Sequence, residues 1–163
     1  MDANASEDLS MKPGQKMTAR ILYAALFASV GTYYVLLTVL RANPDFAGKT
    51  LPENIAEMVN LLKIAAGLVF VLTLMSDKFM RKPAAANPPA GQYFMALILR
   101  LALCESIAIF GLVLGVLGAE QAQFFPFFIV SAAAFIMAVP TDGAYERFVL
   151  PWRQKQRESA TEG

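Results

Sequence analysis

Tyr93-Phe94-Met95-Ala96-Leu97-Ile98-Leu99-Arg100-Leu101-Ala102-Leu103-Cys104-Glu105-Ser106-Ile107-Ala108-Ile109-Phe110-Gly111-Leu112-Val113-Leu114-Gly115-Val116-Leu117 is the longest apolar stretch of the chain. Its length suits one bilayer-spanning helix, which needs roughly 20 residues at about 1.5 Å each. Its two charges are Arg100 and Glu105, and Glu105 falls near the middle. A carboxylate at a helix centre costs on the order of 2.5–3.5 kcal/mol on insertion scales. It therefore faces protein or water, takes a partner, and marks a functional site by default.

Working outward, apolar segments at about 19–40, 56–76 and 122–139 join this one, taken as 92–118. The expected fold is an all-α membrane protein, a four-transmembrane-helix bundle. Residues 1–18 form a polar N-terminal tail, 19–140 the transmembrane domain, and 141–163 a cytoplasmic C-terminal tail. Lys12, Lys16 and Arg20 flank the first span, Lys78, Arg81 and Lys82 follow the second, and Arg147, Arg153, Lys155 and Arg157 lie in the C-terminal tail. The positive-inside rule then puts both termini and the 77–91 loop in the cytoplasm, most naturally at a bacterial inner membrane.

Connections fit the same count. Thr50-Leu51-Pro52-Glu53 reads as a capping box before the second helix. Arg81 to Pro89 reads as a Pro-rich linker, and Gly118 to Gln121 as a tight turn that makes the third and fourth helices antiparallel neighbours. Pro126 is expected in the first turns of the fourth helix, and Pro140 ends it. Tyr145 to Arg153 mixes aromatics with bases, which suits a short interfacial segment, with disorder expected from Gln154 onward.

Composition removes several function classes. Of 163 residues 56% are hydrophobic and only 17% charged, against about 25% in soluble domains. A net charge of +1 argues against nucleic acid as a partner. The chain has no histidine and one cysteine, Cys104, so His-containing zinc sites, His-ligated haem, internal disulfides and Cys-based metal clusters are excluded. Catalytic triads and Gly-rich phosphate loops are absent too. No enzyme activity, cofactor or metal is expected; the partners are the lipid bilayer and other membrane subunits or a second copy.

On the third helix, positions three or four apart trace Arg100, Cys104, Ala108, Gly111, Gly115 and Gly118 along one face. Small stripes of this kind let backbones approach closely in lipid, so Cys104 to Gly118 reads as a packing seam bordering Glu105. Lys63, on the second helix, is the other intramembrane charge. A Lys63–Glu105 pair is expected because Lys63 lies outward of Glu105 by roughly one long side chain, with Arg100 snorkelling to the inner interface. Asn60 and Glu57 lie further out on the second helix. Tyr33-Tyr34 and Phe124-Phe125-Pro126-Phe127-Phe128 read as interfacial or lipid-facing aromatics, or as the lining of a lipid or pigment site.

Ala102 to Leu114 resembles the carboxylate-bearing helix of rotary ATP synthase c subunits, the proteolipids. The shared pattern is a small or apolar run, Glu, small or aliphatic residues, an aromatic, Gly, then Leu/Val repeats. The resemblance covers residues 92–117, and Arg81-Lys82-Pro83 loosely matches the family's basic loop. It implies that Glu105 binds a transported proton or sodium ion.

Two functions follow from these features. One is a small, non-catalytic subunit or scaffold of a larger membrane complex. The other is a proton- or cation-binding protein, proteolipid-like or small-transporter-like, with Glu105 as the titrating carboxylate.

Overall fold

The computed structural model describes residues 11–43, 53–80 and 89–161. They form α1 (Pro13–Ala42), α2 (Ile55–Met80), α3 (Pro89–Val116), α4 (Gln121–Met137) and α5 (Asp142–Thr161), with no strand among the described residues. Three helices, α1 to α3, are long and apolar enough to cross a membrane. The α4–α5 pair, bent by 62° at its break, passes the same test when taken together. Thr50 of the expected capping box, the 81–88 linker and the first ten residues lie outside the described residues.

The centre of the fold is α3, which packs against each of the other four helices, while α1 and α2 flank it. Matched contacts fix the directions. Ser29 meets Glu105 and Leu37 meets Gly115, so α1 and α3 run parallel. Phe27 meets Phe135 whereas Tyr34 meets Phe125, so α4 runs antiparallel to α1. Eight residues reach at most about 28 Å, less than the roughly 39 Å length of α2, so α2 and α3 are also antiparallel.

The α3–α4 turn is built by Gly118, whose φ of 91° lies in the left-handed region that glycine adopts without a Cβ clash. The Ala119 N–H donates to Leu114 O and the Gly118 N–H to Gly115 O, a Schellman closure of α3. Across the turn, Gln123 Oε1 accepts the Glu120 N–H and starts α4. Pro126 sits in the second turn of α4, where it removes the hydrogen bond to the carbonyl four residues earlier.

Helix α4 stops at Met137 because Pro140 follows and disfavours helical backbone at Val139. Thr141 then caps α5, its Oγ1 accepting the Ala144 N–H at 3.1 Å. The expectation of disorder from Gln154 is corrected here: α5 continues to Thr161. Its first half is anchored, with Phe148 and Val149 buried and Tyr93 edge-on to both Tyr145 and Phe148. Its second half is rich in Arg, Gln, Lys and Glu, all good helix formers that extend a helix already nucleated by packing.

Candidate functional site

The centre of the site is Glu105. It lies sixteen residues into α3, and Ser29 lies sixteen residues into the parallel α1, so the two sit at one level. Ser29 and Tyr33 are four apart and share a face of α1, and both meet the same carboxylate oxygen. Tyr33 Oη donates to Glu105 Oε1 at 2.7 Å, and Ser29 Oγ lies 2.8 Å from it. Ser29 Oγ is also 2.7 Å from the carbonyl of Leu26. A hydroxyl has one proton, so Ser29 donates to only one of these two acceptors at a time.

That geometry gives two consistent proton arrangements. With Glu105 ionised, Ser29 and Tyr33 both donate to Oε1, and Leu26 O loses its second partner. With Glu105 protonated on Oε1, the carboxyl donates to Ser29 Oγ and Ser29 donates to Leu26 O, while Tyr33 still donates to Oε1. The Ser29 hydroxyl then both accepts from Glu105 and donates to Leu26 O.

The expected Lys63–Glu105 pair is not formed among the described residues. Depth along the helices was a poor guide, because rotation about each helix axis decides which face a side chain occupies. Glu105 turns toward α1, whereas exposed Lys63 lines a groove with Ala66, Gly67, Pro126 and Phe127. Arg100 takes a third direction: its Nη2 donates to Met137 O at 3.0 Å. It thereby serves one of the carbonyls left open at the end of α4, where a cation also suits the helix dipole. The three charges grouped by sequence reasoning therefore occupy three separate places.

The small stripe divides between two neighbours. Cys104 and Ala108 are fully buried, and Ser131 Oγ donates to Cys104 O at 2.7 Å, joining α4 to α3. A Cβ on Gly111 would lie 2.9 Å from Phe127 Cβ and 3.1 Å from Phe124 O. One on Gly115 would collide with the δ-carbons of Leu37 on α1. Gly118 serves the turn instead of the seam. These glycines set how closely α1 and α4 approach α3, and hence how close Ser29 and Tyr33 come to Glu105.

The aromatics are interior packing more than lipid-facing surface, which corrects that expectation. Phe124, Phe127 and Phe128 are buried, and Tyr34 packs edge-on to Phe128. Arg41 lies over the Phe124 ring, 5.0 Å from its centroid. At the opposite end, Lys16 Nζ and Asp142 Oδ1 pair at 2.8 Å, bringing the starts of α1 and α5 together. Hydrogen bonding and charge from Lys16 hold the Asp142 carboxyl below its ordinary range. Burial pushes the Tyr145 phenol up, outweighing the opposing Arg153 charge.

Sequence reasoning missed Ser29 and Tyr33 as partners of Glu105. The available signal was their i,i+4 spacing in the middle of α1, two hydroxyls on one face of an apolar helix. Among the described residues, no cluster of His, Cys, Asp and Glu suits a metal ion. No family model, curated protein or solved structure matches this chain.

Proposed function

We propose that this chain is a small integral membrane protein whose Glu105 takes up and releases a proton within the bilayer. The membrane reading is supported by large apolar side chains exposed around α1 and α2, such as Val39 at 63%, Leu61 at 67% and Ile64 at 65%. Surfaces of that kind are solvated by lipid. Four crossings, with α4 as the fourth and α5 turned along the interface, leave the starts of α1 and α5 on one side. The Lys16–Asp142 pair supports that arrangement, and the surplus of bases there supports a cytoplasmic side.

The observation that carries the proton-binding reading is the Ser29 hydroxyl, poised between Glu105 Oε1 and Leu26 O. It can serve either protonation state by reversing its own donor direction, with no rearrangement of helices. The proteolipid resemblance points to the same chemistry. A subunit role in a larger membrane complex is compatible with this reading, since such a complex would couple the proton to work.

The test is proton movement in liposomes carrying an internal pH dye and an imposed potential. Wild-type protein, alone or with whatever copurifies with it, is expected to pass protons. Glu105→Gln, which keeps the shape and an acceptor for Tyr33, is expected to abolish this. Undiminished movement with Glu105→Gln would overturn the proposal.

A further inference from the structure

We infer that the groove between α2 and α4 is a site for one anionic phospholipid, its acyl chain lying against the groove and its phosphate held by Lys63. The groove has a volume of about 400 Å³, and its lining includes Lys63, Gly67, Phe70, Ile107, Phe127 and Ala133. Lys63, Gly67 and Phe70 fall at i, i+4 and i+7, one face of α2. From Lys63 to Phe70 the groove runs about 10 Å along the helix axis. Everything below the lysine is apolar. Lys63 is exposed and makes no hydrogen bond or ion pair among the described residues.

A lone ammonium in an apolar groove calls for an anion, and the fold says where that anion comes from. Helix side chains lean toward the N-terminus, so Lys63 extends toward the end where α2 and α4 begin. Helix α4 has 17 residues, about 25 Å, which is shorter than the roughly 30 Å hydrocarbon core. Short spans thin the bilayer beside them. The headgroup plane is thereby drawn down next to α4, within reach of a snorkelling lysine. A lipid phosphate is already at that level. One phospholipid meets both halves of the site, its phosphate the ammonium and its acyl chain the apolar lining below.

Two substitutions separate the headgroup from the chain. Lys63→Gln removes the charge. Gly67→Leu fills the groove; a Cβ at Gly67 meets nothing within 4 Å, and the change replaces a poor helix former with a good one. Native mass spectrometry is run on full-length protein released from nanodiscs of equal phosphatidylglycerol and phosphatidylcholine with identical acyl chains. Wild-type protein is expected to retain one phosphatidylglycerol in preference to phosphatidylcholine. Lys63→Gln is expected to lower that preference on the order of tenfold, the size of one charge-assisted hydrogen bond, and Gly67→Leu to lower retention of both lipids. Equal retention of the two lipids by wild type, or unchanged phosphatidylglycerol retention in both variants, would overturn the inference. So would a lipid-free dimer that dissociates on Lys63→Gln, which would give the groove to a second copy.

Discussion

At the scale of single residues, the molecule turns on which group each charge finds. Glu105 finds two hydroxyls, Arg100 a helix-end carbonyl, and Lys63 an open groove. Ser29→Ala and Tyr33→Phe each remove a hydroxyl that bonds Glu105 without enlarging a side chain. Each is expected to lower stability by about 0.5–1.5 kcal/mol, measured by thermal unfolding in detergent, and to impair proton movement. Glu105→Gln should be milder in stability than Glu105→Leu, because leucine leaves Ser29 and Tyr33 with no acceptor at Glu105. The place of Glu105 within an apolar run was legible in the sequence. Its partners were not, because apolar periodicity reports depth and leaves the rotation of each helix open. Arg100 shows the same limit: its reach toward the inner interface was legible, but only the fold brings Met137 O to it.

At the scale of elements, the seam along α3 decides how tightly its neighbours sit. The Cβ of alanine at position 111 would press on Phe127 Cβ and the Phe124 carbonyl, atoms that move only with α4 itself. Gly111→Ala is therefore expected to destabilise by about 1–3 kcal/mol, the usual cost of overpacking. Gly115→Ala presses chiefly on the flexible end of Leu37 and should cost less. Unfolding of the two variants side by side checks this order. The stripe was legible because small residues at helical spacing have one main physical use in lipid. The division of labour was not, since Gly111 faces α4 and Gly115 faces α1 although both lie on one traced face. The outcome at Gln154 has a different cause: composition alone suggested disorder, while burial of Phe148 and Val149 anchors a helix that its polar residues extend.

At the scale of the whole molecule, the proposed function requires α3 to present a protonatable carboxyl to α1 inside a bilayer, with both helix starts on one side. Cys104 is fully buried, so an added cysteine can be labelled against a low background. Glu120→Cys, in the α3–α4 turn, and Gln154→Cys, on α5, are expected to react with a membrane-impermeant maleimide from opposite sides; labelling from the same side would contradict the topology. The Lys16–Asp142 tie adds a pH signature. The folded Asp142 carboxyl titrates below its unfolded value, so its contribution is full above about pH 4 and fades as pH falls through the lower folded value. Docking of α5, followed by Trp152 fluorescence, is expected to loosen below that point in wild type, with the pH response reduced in Asp142→Asn. The central claim concerns Glu105 itself, and its most direct test is carbodiimide labelling of native membranes across pH, read by mass spectrometry with Glu57 as the comparison. Carbodiimides modify a protonated carboxyl in apolar surroundings. The expected result is labelling of Glu105 well above that of Glu57, falling as pH rises; a Glu105 that stays unmodified at every pH would contradict the claim.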